Sequence, residues 1–398
     1  MNNFEMYYPC DYVFGKDVEL EAGKRASQFG KKVLLHYDGG DFLEKSGLLG
    51  RVRDSLKAAG MEVYELGGVR PNPVLSLMRK GIELVKKEGI DVVVGIGGGS
   101  TMDSSKMICM GAAYDGDVLD LKPFGACKKM LPLIVIPTMS GTGSEISICT
   151  MVCNDEVEPE EKFGILSFAI IPTVTLMNPE LQYTLPKKQI AAGCMDIISQ
   201  VMNTYFTETT GTFLTDRMDE AVMETVVKYA PIALENPTDY DARSQIALAA
   251  SIGAYFMIGY DRNGRESGHT LENPVTTTHH LAHGQGLALV TPAIMKYTYK
   301  RDIPRFARWA NTVMGVPVDT FDLEKTAVEG IKRFEDFIKY RLGLATRFEE
   351  LGIGSDEDIE RYVELVRKGS WSGFPLQGGS PYELSEEDVR AIYKLAQK

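Results

Sequence analysis

The chain has 398 residues, 44% of them hydrophobic and 25% charged, with a formal net charge of −12. That length exceeds what one hydrophobic core usually serves, so two domains are expected. The acidic balance excludes nucleic acid as a partner, because phosphate binding draws on an excess of lysine and arginine.

No apolar run approaches the ~20 residues needed to cross a bilayer, and the opening MNNFEMYYPCDYVFG lacks a basic start followed by an apolar stretch. No membrane partner is expected. The six cysteines, Cys10, Cys109, Cys127, Cys149, Cys153 and Cys194, include no CxxC pair. They suit a reducing compartment, so the expected location is cytoplasmic.

In chain order, a strand is predicted at Lys32 to His36, a helix after Glu44, a strand at Met61 to Leu66 and a helix from Ser76 to Glu88. A buried strand at Asp91 to Ile96, a helix from Thr101 and a strand at Leu133 to Ile136 follow. This alternation predicts an α/β domain whose parallel sheet is covered by helices. Beyond Pro186 the pattern turns to long helices, Lys187 to Phe206, Asp216 to Leu234 and Asp241 to Gly259. Leu185-Pro186 reads as a helix start, since proline is well tolerated in a first turn. The predicted domains are therefore 1–185, α/β, and 186–398, helical. Residues 369–379, with Trp371 amid glycines, read as an inter-helix loop.

After the buried strand comes GIGGGSTMDSSK, Gly95 to Lys106. Glycines let backbone N–H groups approach an anion, and a helix N-terminus adds partial positive charge, so a pyrophosphate fits here. A glycine triplet alone is a weak motif and equally makes a tight turn. A second polar turn, Pro137 to Glu145, follows the next strand, and the two would line one crevice at the carboxyl ends of the strands. The hydroxyls of Thr138, Ser140 and Thr142 could bond a cofactor there or satisfy local backbone. Asp38 and Asp41, past the first strand, would accept ribose hydroxyls and repel a 2′-phosphate, which favours NAD over NADP; a glycine turn is also the commonest place for aspartate.

Four of the five histidines fall between His269 and His283. Imidazole is the side chain most used for metal ligation and for proton transfer near neutral pH, so a chemical site is indicated, with a solvated helix as the plainer alternative. Asp196 and Gln200 lie four apart in a helical run and share a face. Arg262 and Arg265, just ahead of His269, suit either an anion clamp or surface ion pairs.

The combination GGGSTMDSSK, PTMSGTGSE, the Asp196 helix, and two histidines fourteen apart before Gly284 and an apolar run ending at Pro292 resembles the iron-containing (group III) alcohol dehydrogenases, especially the butanol-dehydrogenase-like branch. YVFGKD near the start, RPNP at 70–73 and LSEEDVRAIYKLA at the end extend the resemblance over essentially the whole chain. It implies a Rossmann-like dinucleotide-binding domain followed by an all-helical domain, the dehydroquinate synthase-like architecture. It also implies a divalent metal, Fe²⁺ or Zn²⁺, in the cleft between them. The activity implied is an NAD(P)-dependent alcohol dehydrogenase or aldehyde reductase, in which the metal polarises the carbonyl of a small alcohol/aldehyde substrate and the nicotinamide carries hydride; the assembly implied is a homodimer.

Carried over residue by residue, the metal set is Asp196, Gln200, His269 and His283, and the catalytic set Asp196, His269, His283 and His279. The cofactor set is Asp38, Asp41, Asn72, Gly97, Gly98, Gly99, Ser100, Asp103, Thr138, Ser140, Thr142, Ser147 and Lys162. Two positions depart from the family pattern. Gln200 stands where the pattern has histidine, and its neutral amide oxygen is a poorer ligand, although three protein ligands can suffice. Asn273 replaces a further histidine and cannot relay protons, which leaves solvent or the nearby His279 and His280; His279, four residues before His283, conceivably shares a helical face with it, and a bystander role for both is the plainer alternative. These departures keep open a metal-independent reductase of an activated carbonyl, in the manner of maleylacetate reductases, and a catalytically decayed dinucleotide-binding paralogue.

Overall fold

Alternate residues of short apolar runs in the first half of the chain are sorted between the two faces of one sheet. The computed structural model describes residues 1–4, 7–158, 160–254, 261–262, 267–369 and 383–398. Arg265 and the segment around Trp371 lie outside them. The strands are β1 (Asp11–Phe14), β2 (Lys32–Asp38), β3 (Glu62–Val69), β4 (Val92–Gly97), β5 (Leu133–Pro137), β6 (Cys149–Asn154), β7 (Glu161–Leu166) and β8 (Val174–Met177). Six of them form a sheet in the order β1-β8-β5-β4-β2-β3, every neighbouring pair parallel. The helices of this half are α1 (Ala22–Ala26), α2 (Phe42–Lys45), α3 (Leu48–Ala58), α4 (Leu75–Glu88) and α5 (Gly99–Ala112).

Leu34, Val93 and Val135 pack with Met78 of α4 and Ile108 of α5. Their strand neighbours Val33, Leu35, Val92, Val94, Ile134 and Ile136 pack on the other face with Leu49, Val52 and Leu56 of α3. Burial on both faces explains why these strands read as unbroken apolar runs. The strands β1 and β8 and the antiparallel β6–β7 pair were not predicted; β1 and β8 have four residues each, and β6 and β7 flank a charged stretch that masks their alternation.

The second half forms α6 (Lys187–Tyr205), α7 (Phe213–Glu235), α8 (Tyr240–Gly253), α9 (Ser267–His279), α10 (His283–Thr298), α11 (Ile303–Thr312), α12 (Leu323–Asp336), α13 (Asp356–Gly369) and α14 (Glu386–Gln397). The helix predicted to reach Gly259 ends at Gly253. One core joins α6, α7, α8, α10, α11 and α12, and a second joins α9 and α10 to α13 and α14. By compactness the chain divides into Tyr7–Thr184 and a helical unit of Leu185–Lys398 with Met1–Met6. The N-terminal amine donates to the Thr210 carbonyl, and the Asn2 amide donates to that of Asp261 at 2.7 Å. A boundary read from periodicity left these first residues with the α/β half, because so short a segment carries no pattern of its own.

Arg262 is neither an anion clamp nor a surface residue. Its side chain is wholly buried among Asp216, Asp219 and Asp261 at 2.9, 3.1 and 3.1 Å, and Arg305 adds a further contact to Asp216 at 3.0 Å. Two of these carboxylates come from α7, some forty residues earlier, so local sequence could not distinguish the cluster from a solvated charged face.

A buried histidine lies one strand in from the β3 edge of the sheet. His36 of β2 has Nδ1 2.6 Å from the Leu66 carbonyl oxygen and Nε2 2.8 Å from Ser104 Oγ on α5. Burial lowers its pKa from 6.5 to about 4, against the opposing effect of the Leu66 hydrogen bond. Between those two values the unfolded chain takes up a proton that the folded one refuses. The stabilisation is therefore complete above pH 6.5 and is lost as pH falls toward 4, amounting to roughly 2 kcal/mol by pH 5. Denaturant unfolding at pH 7 and pH 5 should show this loss in the wild type and a smaller one in His36→Gln.

Candidate functional site

The helical unit brings two helix backbones into contact at a glycine. Gly284, second residue of α10, lies so close to α6 that a Cβ there would stand 2.0 Å from the Ala192 carbonyl oxygen. This contact sets the neighbouring His283 over Asp196, one turn further along α6. His283 Nε2 is 3.6 Å, and His269 Nε2 3.5 Å, from the same Asp196 Oδ1. One ligand atom from each of the three residues lies within 4.8 Å of the others. Asp196 is buried, whereas the two imidazoles are partly exposed.

The far nitrogens of both rings are engaged. His283 Nδ1 is 2.7 Å from Glu272 Oε1, and His269 Nδ1 is 2.9 Å from the Asn203 amide nitrogen. Burial alone would raise the Asp196 carboxyl, but the His283 charge and hydrogen bonds from both imidazoles hold it below the usual carboxylate range. Desolvation alone would lower His283, yet Glu272 and then Asp196 push it up to about 10. A carboxylate and two imidazole Nε2 atoms facing one point fit a borderline divalent cation such as Fe²⁺ or Zn²⁺: Glu272 holds the proton of His283 on Nδ1, and the Asn203 amide does the same for His269 when it turns its oxygen toward Nδ1.

Gln200 adjoins this group, its amide nitrogen donating to Asp196 Oδ1 at 3.1 Å. His279 does not join it. Its Nε2 is 2.5 Å from the Tyr362 hydroxyl and 4.0 Å from Asp358 Oδ1, both on α13. The shared helical face conceived for His279 and His283 does not exist, because α9 ends at His279, His280 takes a left-handed φ of 51° and Ala282 is extended before α10 begins. Asn273 lies on α9 and accepts a hydrogen bond from Thr276 at its carbonyl, 3.2 Å.

In the α/β unit the strand registers set Asp38 opposite Val69 and Gly97 opposite Pro137, so the carboxyl ends of β3, β2, β4 and β5 lie side by side. Between β2 and β4 the strand order reverses, and there open α/β sheets take their ligands. The two polar turns adjoin: the Thr138 amide donates to the Gly97 carbonyl at 3.0 Å, and a Cβ on Gly99 would meet Thr142 Oγ1 at 2.7 Å. Gly98 caps α5, with Ser100 in its first turn.

Several residues of the expected cofactor set are already bonded within the protein. Asp103 accepts from the Ser144 hydroxyl at 2.6 Å and the Met151 amide at 3.1 Å. Lys106, fully buried beside it, donates to the Ser147 and Cys149 carbonyls at 2.9 and 2.8 Å and to Ser147 Oγ at 3.3 Å. Asp103 and Ser147 thus hold the second turn to α5. Ser140 Oγ accepts from Gln182 at 2.8 Å, and Thr142 Oγ1 from the Ser144 amide at 3.2 Å. Asp38 bonds the Gly40 amide at 2.6 Å, and exposed Asp41 pairs with Lys45. Asn72 is exposed at a left-handed φ of 54°, and Lys162 is half-buried on β7. Glu272, Asn203 and Lys106 were missed by sequence reasoning, although an acid three residues past His269 on an otherwise uncharged helix was a signal.

The sequence profile of the iron-containing alcohol dehydrogenases matches residues 9–179, and that of the C-terminal domain of the Fe-containing alcohol dehydrogenase family matches residues 190–397. The NADH-dependent butanol dehydrogenase A of Clostridium acetobutylicum is 33% identical over 396 residues, 99% of each chain. The NADPH-dependent aldehyde reductase of Escherichia coli is 29% identical over 403 residues, the whole of both. The crystal structure of NADH-dependent butanol dehydrogenase A from Thermotoga maritima superposes with a TM-score of 0.91 at 35% identity, covering 100% of this chain and 99% of that one. The parallel-sheet unit, the helical unit and the Asp–His–His cluster define an oxidoreductase of the alcohol dehydrogenase and aldehyde reductase class. The chain belongs to the iron-containing alcohol dehydrogenase family.

If the Gly284 contact sets the cluster, then Gly284→Ala, which pushes α10 away from α6, should destabilise the protein by about 2 kcal/mol or more and weaken Zn²⁺ binding. Thermal unfolding and zinc titration would check this, and an unchanged zinc affinity would refute it.

Proposed function

We propose that the chain catalyses the reversible NAD(H)-dependent reduction of a small aldehyde to its alcohol, with a divalent ion held by Asp196, His269 and His283. The observation that carries this reading is the approach of both Nε2 atoms to one buried carboxylate oxygen. When bound, the ion, Fe²⁺ or Zn²⁺, supplies Lewis-acid polarisation of the carbonyl oxygen, and the nicotinamide supplies hydride to the carbonyl carbon. Asp196 brings the negative charge and the two histidines neutral nitrogen donors. Gln200 orients Asp196 through its amide instead of adding an imidazole.

The amides of Gly98, Gly99 and Ser100 at the start of α5 receive the pyrophosphate, with Thr138 and Thr142 beside them. Asp38 and Asn72, at the ends of adjacent strands, face the ribose, and the Asp38 carboxylate favours NAD(H) over NADP(H). The proton that completes the alcohol comes from solvent, because Asn273 has none to give at neutral pH and His279 is bonded to Tyr362. The sheet ends in β1 and β3, edge strands suited to pairing with a second copy, which supports a homodimer. No helix among the described residues is long and apolar enough to cross a membrane. Six free cysteines suit a reducing, cytoplasmic setting.

The test is nicotinamide absorbance with butanal and other carbonyl compounds, NADH against NADPH, joined to elemental analysis. NADH should be consumed faster than NADPH. Exhaustive chelation and Asp196→Asn should each lower the rate by about a hundredfold or more. Full turnover after chelation would replace this mechanism with the metal-independent reduction of an activated carbonyl. Absence of turnover on any aldehyde or ketone at any metal loading would reduce the chain to a dinucleotide-binding protein.

A further inference from the structure

The two imidazoles of the cluster have unequal partners. Behind His269 stands a neutral amide, Asn203. Behind His283 stands Glu272, whose side chain has no exposure, with Oε1 2.7 Å from Nδ1. The Thr276 hydroxyl donates to the same Oε1 at 2.9 Å, one turn along α9, and fixes the carboxylate in place. A carboxylate only accepts, so this contact puts a proton on His283 Nδ1, and in the neutral ring that a metal requires Nε2 is then the donor atom. His269 and Glu272, three residues apart, bring one metal donor and the support of the other from a single helix.

We infer that Glu272 is the positioning residue of the metal centre: it fixes the tautomer and orientation of His283 and adds a second buried negative charge to a site where Gln200 contributes none. This inference rests on the metal reading above. A donor set of two neutral imidazoles and one carboxylate leaves a divalent ion with one uncompensated positive charge, and Glu272 balances it through the imidazole. The charge lies beyond the ring, so it strengthens the ligand without occupying a coordination position, which stays open for substrate oxygen.

The test is Co²⁺ titration of the full chain, followed by the visible ligand-field spectrum. Glu272→Gln keeps the size of the side chain and removes its charge, and should weaken Co²⁺ binding by about 10- to 100-fold and alter the spectrum. Asn203→Ala, which removes the partner of the other ring, should cost less than about threefold, and Thr276→Val an intermediate amount. If the wild type binds no Co²⁺, the metal reading fails. If it binds Co²⁺ and Glu272→Gln binds it equally well, or if Asn203→Ala loses as much as Glu272→Gln, the role of Glu272 fails while the metal reading stands. Should Glu272→Gln not fold, Thr276→Val with unchanged affinity and spectrum overturns the inference.

Discussion

A helix backbone resting on another helix backbone is the constraint on which the Asp–His–His cluster depends. Side chains hold most helix pairs 8–10 Å apart, and the absence of one at Gly284 removes that spacing where α10 begins against α6. The consequence is local and chemical: a buried carboxylate receives an imidazole from a segment some ninety residues later in the chain. His269 reaches the same oxygen from α9, which packs on α10.

Much of this was legible in the sequence where chemistry and local pattern coincide. The βα alternation stands as periodicity suggested, the glycine turn opens α5, and Asp196, His269 and His283, which the motif singled out, converge to within 4.8 Å. What escaped was whatever depended on partners distant in sequence. Arg262 read as a surface or substrate-binding cation because Asp216 and Asp219 lie on another helix. His279 read as a neighbour of His283 because spacing by four assumes a continuous helix, and one left-handed residue at 280 breaks it. The strands β1 and β8 were missed because four residues are too few to show a period, and their pairing across the sheet is long-range.

Buried polar groups near the glycine turn divide between scaffold and chemistry. Asp103 and Ser147 follow the glycine motif and its companion turn so closely that ligand contact was the natural expectation. Their hydrogen bonds, with those of Lys106, fasten the second turn to α5. Such satisfied networks rigidify a loop, and this one leaves the backbone amides at the start of α5 in a fixed arrangement. His36 does comparable work one layer deeper, joining β2 to β3 and α5 through both ring nitrogens.

The break at His280 settles a matter of length. Fourteen residues of unbroken helix would carry His283 about 21 Å along the axis from His269, far beyond what a single ion can span. The reversal between α9 and α10 brings the two ring centroids to 5.1 Å instead. The pair is thus a property of a hairpin and not of helical pitch, and its geometry answers to the lateral distance between two helices. A residue gained or lost in the three-residue link would leave both helices intact as helices while carrying one imidazole around its axis and out of register with the other.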